Sequence, residues 1–188
     1  MPAPTPEELG PLAALVGTWE GNGGLDIAFH NATGRVIETP FRERTSFSSF
    51  GPVDNGAQSL FGLDYRTAAW KDDDDDPFHT EVGYWLWDAL DNQVMRCFMV
   101  PRGSTLLAGG PAHVDSRTFT MEATLGSPVY GILSNPYLDK VAQTTHFEVT
   151  VTVGDDGSFS YDETTTVTLA KYGGPFRHTD RNTLHRID

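Results

Sequence analysis

One cysteine, Cys97, is the only thiol in 188 residues, so an internal disulfide framework is excluded. A lone thiol fits a reducing compartment, and the chain reads as cytoplasmic. Cys97 lies in an apolar run with Met95, Phe98, Met99 and Val100, and reads as an inert core thiol. Long hydrophobic runs are also missing. No stretch approaches the ~20 apolar residues of a membrane-spanning helix. Met1-Pro2-Ala3-Pro4-Thr5-Pro6 has neither the basic nor the apolar region of a signal peptide, so no membrane partner is expected. Positive charge is scarce, with 13 Lys and Arg against 26 Asp and Glu and a formal charge of −13. That field repels nucleic acid and anionic membranes, and solubility is its ordinary purpose. Catalytic signatures are absent too: no Gly-x-Ser-x-Gly, no phosphate loop, no dinucleotide glycine motif and no Cys/His zinc spacing.

The chain does contain strand after strand. Thr5-Pro6-Glu7-Glu8 reads as a helix start, with Thr5 capping and two acids at the positive helix end. Leu9, Leu12, Ala13 and Val16 then predict one apolar face before Gly17 ends the helix. Alternating β-branched and aromatic residues predict strands over 35–50, 58–70, 80–90, 93–107, 117–125, 144–153, 158–169 and 177–187. Asp91-Asn92 predicts a tight turn and Gly109-Gly110-Pro111 a looser connection. Residues 72–76 are an acidic solvated loop lacking calcium-loop spacing, and 133–143 reads as a loop or short helical insertion over one end. Length fits one domain over 1–188, with residues 1–16 packed on a barrel formed by 17–188. An all-β, antiparallel up-and-down barrel of about ten strands with a short N-terminal helix follows, because closure removes exposed edges.

Gly17-Thr18-Trp19-Glu20-Gly21-Asn22-Gly23 carries the most information. A Trp between glycines on a first strand can plug the floor of a small barrel, although an ordinary strand with a core Trp reads the same. Two histidines stand out. His79, Glu81 and Gly83 share a strand face, and His178 opens the last strand, yet on periodicity alone each is a rim or surface histidine.

These segments together resemble the nitrobindin family, haem-binding relatives of fatty-acid-binding proteins within the calycin group. The glycine–Trp stretch matches the family's first strand, His79-Thr80-Glu81-Val82-Gly83-Tyr84-Trp85 a middle segment, and His178 the histidine entering the final strand. The resemblance implies a ten-stranded barrel closed at the Trp19 end, with ferric haem b in the open mouth. His178 would be the iron ligand and His79 would line the pocket. The activity implied is that of a haem-dependent peroxynitrite isomerase, which also binds nitric oxide. Calycin barrels stack a basic residue over the first-strand Trp, and Arg186 has the parity to do so for Trp19. His178 shares that parity and would stand roughly 26 Å away, at the mouth. Asp180 and Asn182 would then face inward and need polar partners.

Thr179-Asp180 after His178 departs from the family pattern, and Asp180 is placed to tie up or orient the imidazole. A second reading is a cofactor-free carrier of a fatty acid or other apolar small molecule, with Phe41, Phe47, Met95, Phe98, Met99, Met121 and Phe147 lining the lumen. A third is an enzyme on a small polar substrate using His79, Glu81 and Asp180. Partners are therefore haem or an apolar small molecule, for a monomer or homodimer.

Overall fold

The computed structural model describes residues 3–71 and 74–188. The acidic run thus falls partly outside the described residues, while Asp74, Asp75 and Asp76 are exposed. Among the described residues the chain forms β1 (Gly17–His30), β2 (Arg35–Asn55), β3 (Gln58–Lys71), β4 (His79–Asp88), β5 (Gln93–Val100), β6 (Ser104–Pro111), β7 (Thr118–Thr124), β8 (Ile132–Ser134), β9 (Ala142–Val153), β10 (Phe159–Leu169) and β11 (Gly174–Arg186). Successive strands pair antiparallel, β11 returns to β1, and the β5–β6 pairing closes the sheet. Ten strands make the closed barrel because β7 pairs with β9; the three-residue β8 is an extra strand on β6. It sits beside a seam where β6 and β7 share the single bridge Gly109↔Glu122. No described helix is long and apolar enough to cross a membrane, which does not bear on β-barrels.

Several boundaries differ from expectation. Residues 93–107 do not form one strand: the chain turns at Pro101–Gly103, where Gly103 takes a φ of 82°. Gly109-Gly110-Pro111 is strand rather than connection, because Gly110 lets β6 approach β7. A Cβ there would lie 2.0 Å from the Thr120 carbonyl oxygen. The 133–143 stretch contains part of β8 and a short helix, Pro136–Val141, capped by Asn135.

The N-terminal helix is also shorter than its apolar pattern predicts. Thr5 and Glu8 form a reciprocal capping box over Pro6–Leu9, after which Gly10 leaves helical geometry with a φ of 54°. Residues Gly10–Leu15 continue as a 3-10 helix. The buried leucines are Leu9, Leu12 and Leu15, a spacing of three that suits the tighter helix. Leu15 thus joins the buried face, while Ala13 and Val16 pack against it partly buried.

This segment covers the end of the barrel that holds Trp19. Its indole Nε1 donates to the Leu15 carbonyl at 2.7 Å, and its ring meets Phe159 edge-on at 5.0 Å. Arg186 is the cross-strand partner of Trp19, and its guanidinium stands 4.8 Å from the ring centroid. Burying an indole to 1% exposure stabilises the floor by roughly 2–3 kcal/mol.

One irregularity decides which residues face the lumen. The register of β1 shifts between Gly21 and Gly24, a β-bulge made possible by Gly21-Asn22-Gly23-Gly24. Trp19 faces inward before the bulge; Asp26 and Ala28 line the interior after it. Odd positions therefore exchange with even ones. The β10–β11 ladder has no such shift, so His178, Asp180, Asn182, Leu184 and Arg186 keep one face.

Candidate functional site

Opposite the floor, the barrel opens on a cavity of about 680 Å³. Phe29, Ile37, Phe41, Phe78, Val100 and Leu138 form apolar walls near the mouth. Lys71 and Arg102 supply cations at the rim, where Lys71 Nζ lies 5.3 Å from the Phe78 ring centroid.

Below the mouth the lumen is polar. Arg96, only 7% exposed, is held among four aromatic rings, nearest to Phe98 at 4.4 Å. Its Nη2 donates to Glu81 Oε2 at 2.5 Å, its Nη1 to Glu163 Oε2 at 2.9 Å, and its Nε to the Tyr65 hydroxyl at 3.2 Å. One guanidinium therefore faces two carboxyl groups, and their environments diverge. Burial works to raise the Glu81 pKa, but Arg96, His79 and Tyr65 overcome it and hold the group at about 2. Burial also raises Glu163, and there Arg96 does not overcome it, so that carboxyl keeps its proton to higher pH. We read the pair as one ionised carboxylate and one group inclined to stay neutral.

A second knot surrounds Glu43. It accepts from Thr67 Oγ1 at 2.9 Å, Tyr161 Oη at 2.8 Å and Asn182 Nδ2 at 3.1 Å. Asn182 thus finds the partners that its inward orientation requires. Asp180 does not share in that network. Burial, then the charges of Glu163, Glu81, Asp26 and Glu43, push its carboxyl well above the usual range.

Both singled-out histidines line the cavity, each partly exposed. His79 has both ring nitrogens engaged: Nε2–H donates to Glu81 at 3.0 Å, and Nδ1 accepts from Arg102 at 3.0 Å. Burial works to lower its pKa, but the hydrogen bond and charge of Glu81 outweigh this and the net direction is up. His178 Nε2–H donates to Asp26 Oδ1 at 2.6 Å. The carboxylate that meets His178 is therefore Asp26 on β1 and not Asp180 on its own strand. No hydrogen bond engages His178 Nδ1 among the described residues.

Sequence reasoning about the lumen was right for Phe41, Phe47, Phe98 and Phe147, which line it. Met121 is buried but does not line the cavity, and Met99 is 58% exposed on the outer face. Cys97 shares the outer face with Met99, opposite Arg96 and Phe98, and is half-buried there rather than set in the core. Burial pushes its thiol pKa up. Arg96 and Asp26 were missed. The bulge hides Asp26, and flanking methionines hide Arg96 by making both faces of β5 apolar.

Fold and site together define a cup-shaped, small-molecule-binding β-barrel, with a sealed floor and two histidines near its open end. The family model for the THAP4-like, heme-binding beta-barrel domain matches residues 8–186, and the chain belongs to that nitrobindin-like, haem-binding family. Curated relatives include a protein named peroxynitrite isomerase from Clavibacter sepedonicus, 39% identical over 87 residues. Another of that name, from Leifsonia xyli subsp. xyli, is 38% identical over 86 residues. Each match covers 45% of this chain and 38% of the relative, so the chain matches well under half of their length. The crystal structure of Rv2717c from M. tuberculosis shares the fold, with a TM-score of 0.68, 20% identity, and coverage of 94% of this chain and 95% of that one.

Proposed function

We propose that the protein holds ferric haem b in the mouth of the barrel, with His178 as the iron ligand, and converts peroxynitrite to nitrate there. The observation that carries this reading is the state of the two histidines. His79 has both nitrogens engaged, whereas His178 keeps Nδ1 without a hydrogen-bond partner. An iron ligand needs a lone pair, and of this pair only His178 has one to spare.

The surroundings fit the group. Apolar walls suit a macrocycle, and Lys71 and Arg102 at the rim suit its two carboxylate arms. When bound, haem supplies a ferric iron with an open position for a small oxidant. The chain's own residues then divide the work. His178 would hold the group, and His79, oriented by Glu81 and Arg102, would line its pocket. Lys71 and Arg102 attract an anionic substrate to the mouth. Glu81, held ionised below the mouth, disfavours deeper entry of the same anion.

Titration of the purified protein with hemin tests the proposal. A Soret band and stoichiometric binding are expected, and His178→Ala is expected to abolish both, while His79→Ala retains the band. Bound lipid in an organic extract, without hemin affinity, would replace this reading with the apolar carrier. Peroxynitrite decay, followed by stopped-flow absorption with nitrate quantified, tests the reaction itself.

A further inference from the structure

We infer that Asp26 is the positioning residue for the iron ligand, orienting His178 and strengthening it as a donor, so that bound iron is held in the ferric state. The inference rests on the haem reading above and adds a residue to it. Its basis is geometric. Asp26 Oδ1 accepts the His178 Nε2–H at 2.6 Å, shorter than an ordinary neutral hydrogen bond. The Asp26 side chain is 14% exposed and that of His178 is 33% exposed, so solvent competes weakly for the carboxylate.

The β1 bulge makes this contact possible. Without the extra residue between Gly21 and Gly24, Asp26 would share the parity of the outward positions and point away from the lumen. With it, Asp26 sits opposite Asp180 on the inner face, and Ile27 opposite Thr179, the neighbour of His178. Bulges commonly re-aim a side chain beside a functional site, and this one aims a carboxylate at the candidate ligand.

A hydrogen on Nε2 given to Asp26 leaves the lone pair on Nδ1. Carboxylate acceptance of a ligating histidine's second N–H fixes its tautomer and ring plane and raises its basicity. A more basic axial ligand favours the higher oxidation state. Isomerisation of peroxynitrite involves no net electron transfer, so an iron that resists reduction suits it.

Asp26→Asn keeps an oxygen acceptor of the same shape but removes the charge; Asp26→Ala removes both. Hemin-loaded wild type and both variants are compared by spectroelectrochemistry and by the iron–histidine stretch in resonance Raman. The expected result for Asp26→Asn is at least a tenfold shift toward the ferrous form, 59 mV for a one-electron couple, with a lower stretching frequency. Hemin affinity should fall about 10- to 100-fold in Asp26→Ala. In the protein without haem, imidazole ¹⁵N shifts should report the Nε2–H tautomer of His178 in wild type and a mixture in Asp26→Ala. Unchanged potential, frequency and tautomer in both variants, with normal hemin binding and its loss in His178→Ala, would overturn the role of Asp26 alone. Absence of a Soret band in wild type, or its persistence in His178→Ala, would overturn the haem reading and this inference with it.

Discussion

Replacing Glu81 and Glu163 separately by Gln should have unequal and oppositely pH-dependent effects. Both carboxyls bond to Arg96, but a single guanidinium neutralises a single negative charge. Glu81 is held at about 2 against an ordinary 4.5, with burial opposing and Arg96, His79 and Tyr65 prevailing. At 1.36 kcal/mol per pH unit, that difference corresponds to about 3 kcal/mol of stability at neutral pH. The group is 5% exposed, so solvent screening barely reduces it. Because the folded pKa is depressed, this stability is complete above about pH 4.5 and is lost as pH falls toward 2. Glu163 is raised by burial, so its sign is reversed: it favours the fold below its ordinary pKa and loses that contribution as pH rises through its folded value. In Glu81→Gln, Glu163 inherits Arg96 and recovers part of the loss. The expected cost at pH 7 is therefore about 2 kcal/mol, or about 1 M in urea midpoint at a typical slope. It should shrink to about 1 kcal/mol at pH 3. Glu163→Gln should stay within about 1 kcal/mol of wild type and compare better with it at pH 7 than at pH 4. The double variant leaves Arg96 buried without a counter-charge and should lose about 3–5 kcal/mol. Urea unfolding followed by tryptophan fluorescence between pH 3 and 7 measures all four proteins. Equal losses from the two single variants, or a Glu81→Gln loss unchanged at pH 3, would refute the division of one ionised and one neutral carboxyl.

Three further outcomes follow from packing. Gly83→Ala places a Cβ 1.9 Å from the Cys97 carbonyl oxygen and 2.8 Å from Phe98 Cα. Separating β4 from β5 to admit it should cost about 3 kcal/mol, visible as a lowered thermal midpoint. At the floor, Arg186→Ala removes the cation over Trp19 and a hydrogen bond to the Ala14 carbonyl, and should cost about 1 kcal/mol in urea unfolding. Trp19→Ala should cost about 3–5 kcal/mol in the same assay, because it opens a cavity in a sealed end.

The barrel was legible because strand periodicity and turn chemistry repeat along most of the chain. Where reading failed, a local feature defeated parity. Met95, Cys97 and Met99 are as apolar as Phe98, so alternation could not say which face of β5 turns inward. Only the closed sheet reveals that Arg96 points into the lumen, stabilised there by Glu81 and four rings. Asp26 was hidden by an irregularity on its own strand, β1. A bulge on β11 would have separated His178 from Arg186, but the bulge lies on β1, where Gly21-Asn22-Gly23-Gly24 was its visible sign.

The same glycines that let β1 bend over the floor also govern the mouth. Trp19 and Asp26 are seven residues apart, a separation that would place them on opposite faces of a regular strand. Both face inward because one extra residue was inserted between them. A bulge that swings the strand around a floor tryptophan therefore also turns a carboxylate toward His178. Charge then sorts by depth. Cations Lys71 and Arg102 stand at the rim, while Glu43, Glu81, Glu163 and Asp180 share the lower lumen with Arg96. A fatty acid entering head first would bring its carboxylate into that acidic layer and leave its tail against polar groups. Haem would reverse this arrangement, its charged edge suiting the basic rim and its apolar body the walls formed by Phe29, Phe41 and Leu138. The depth profile of charge therefore suits a ligand whose charged edge stays at the rim, as haem's would, independently of the histidines.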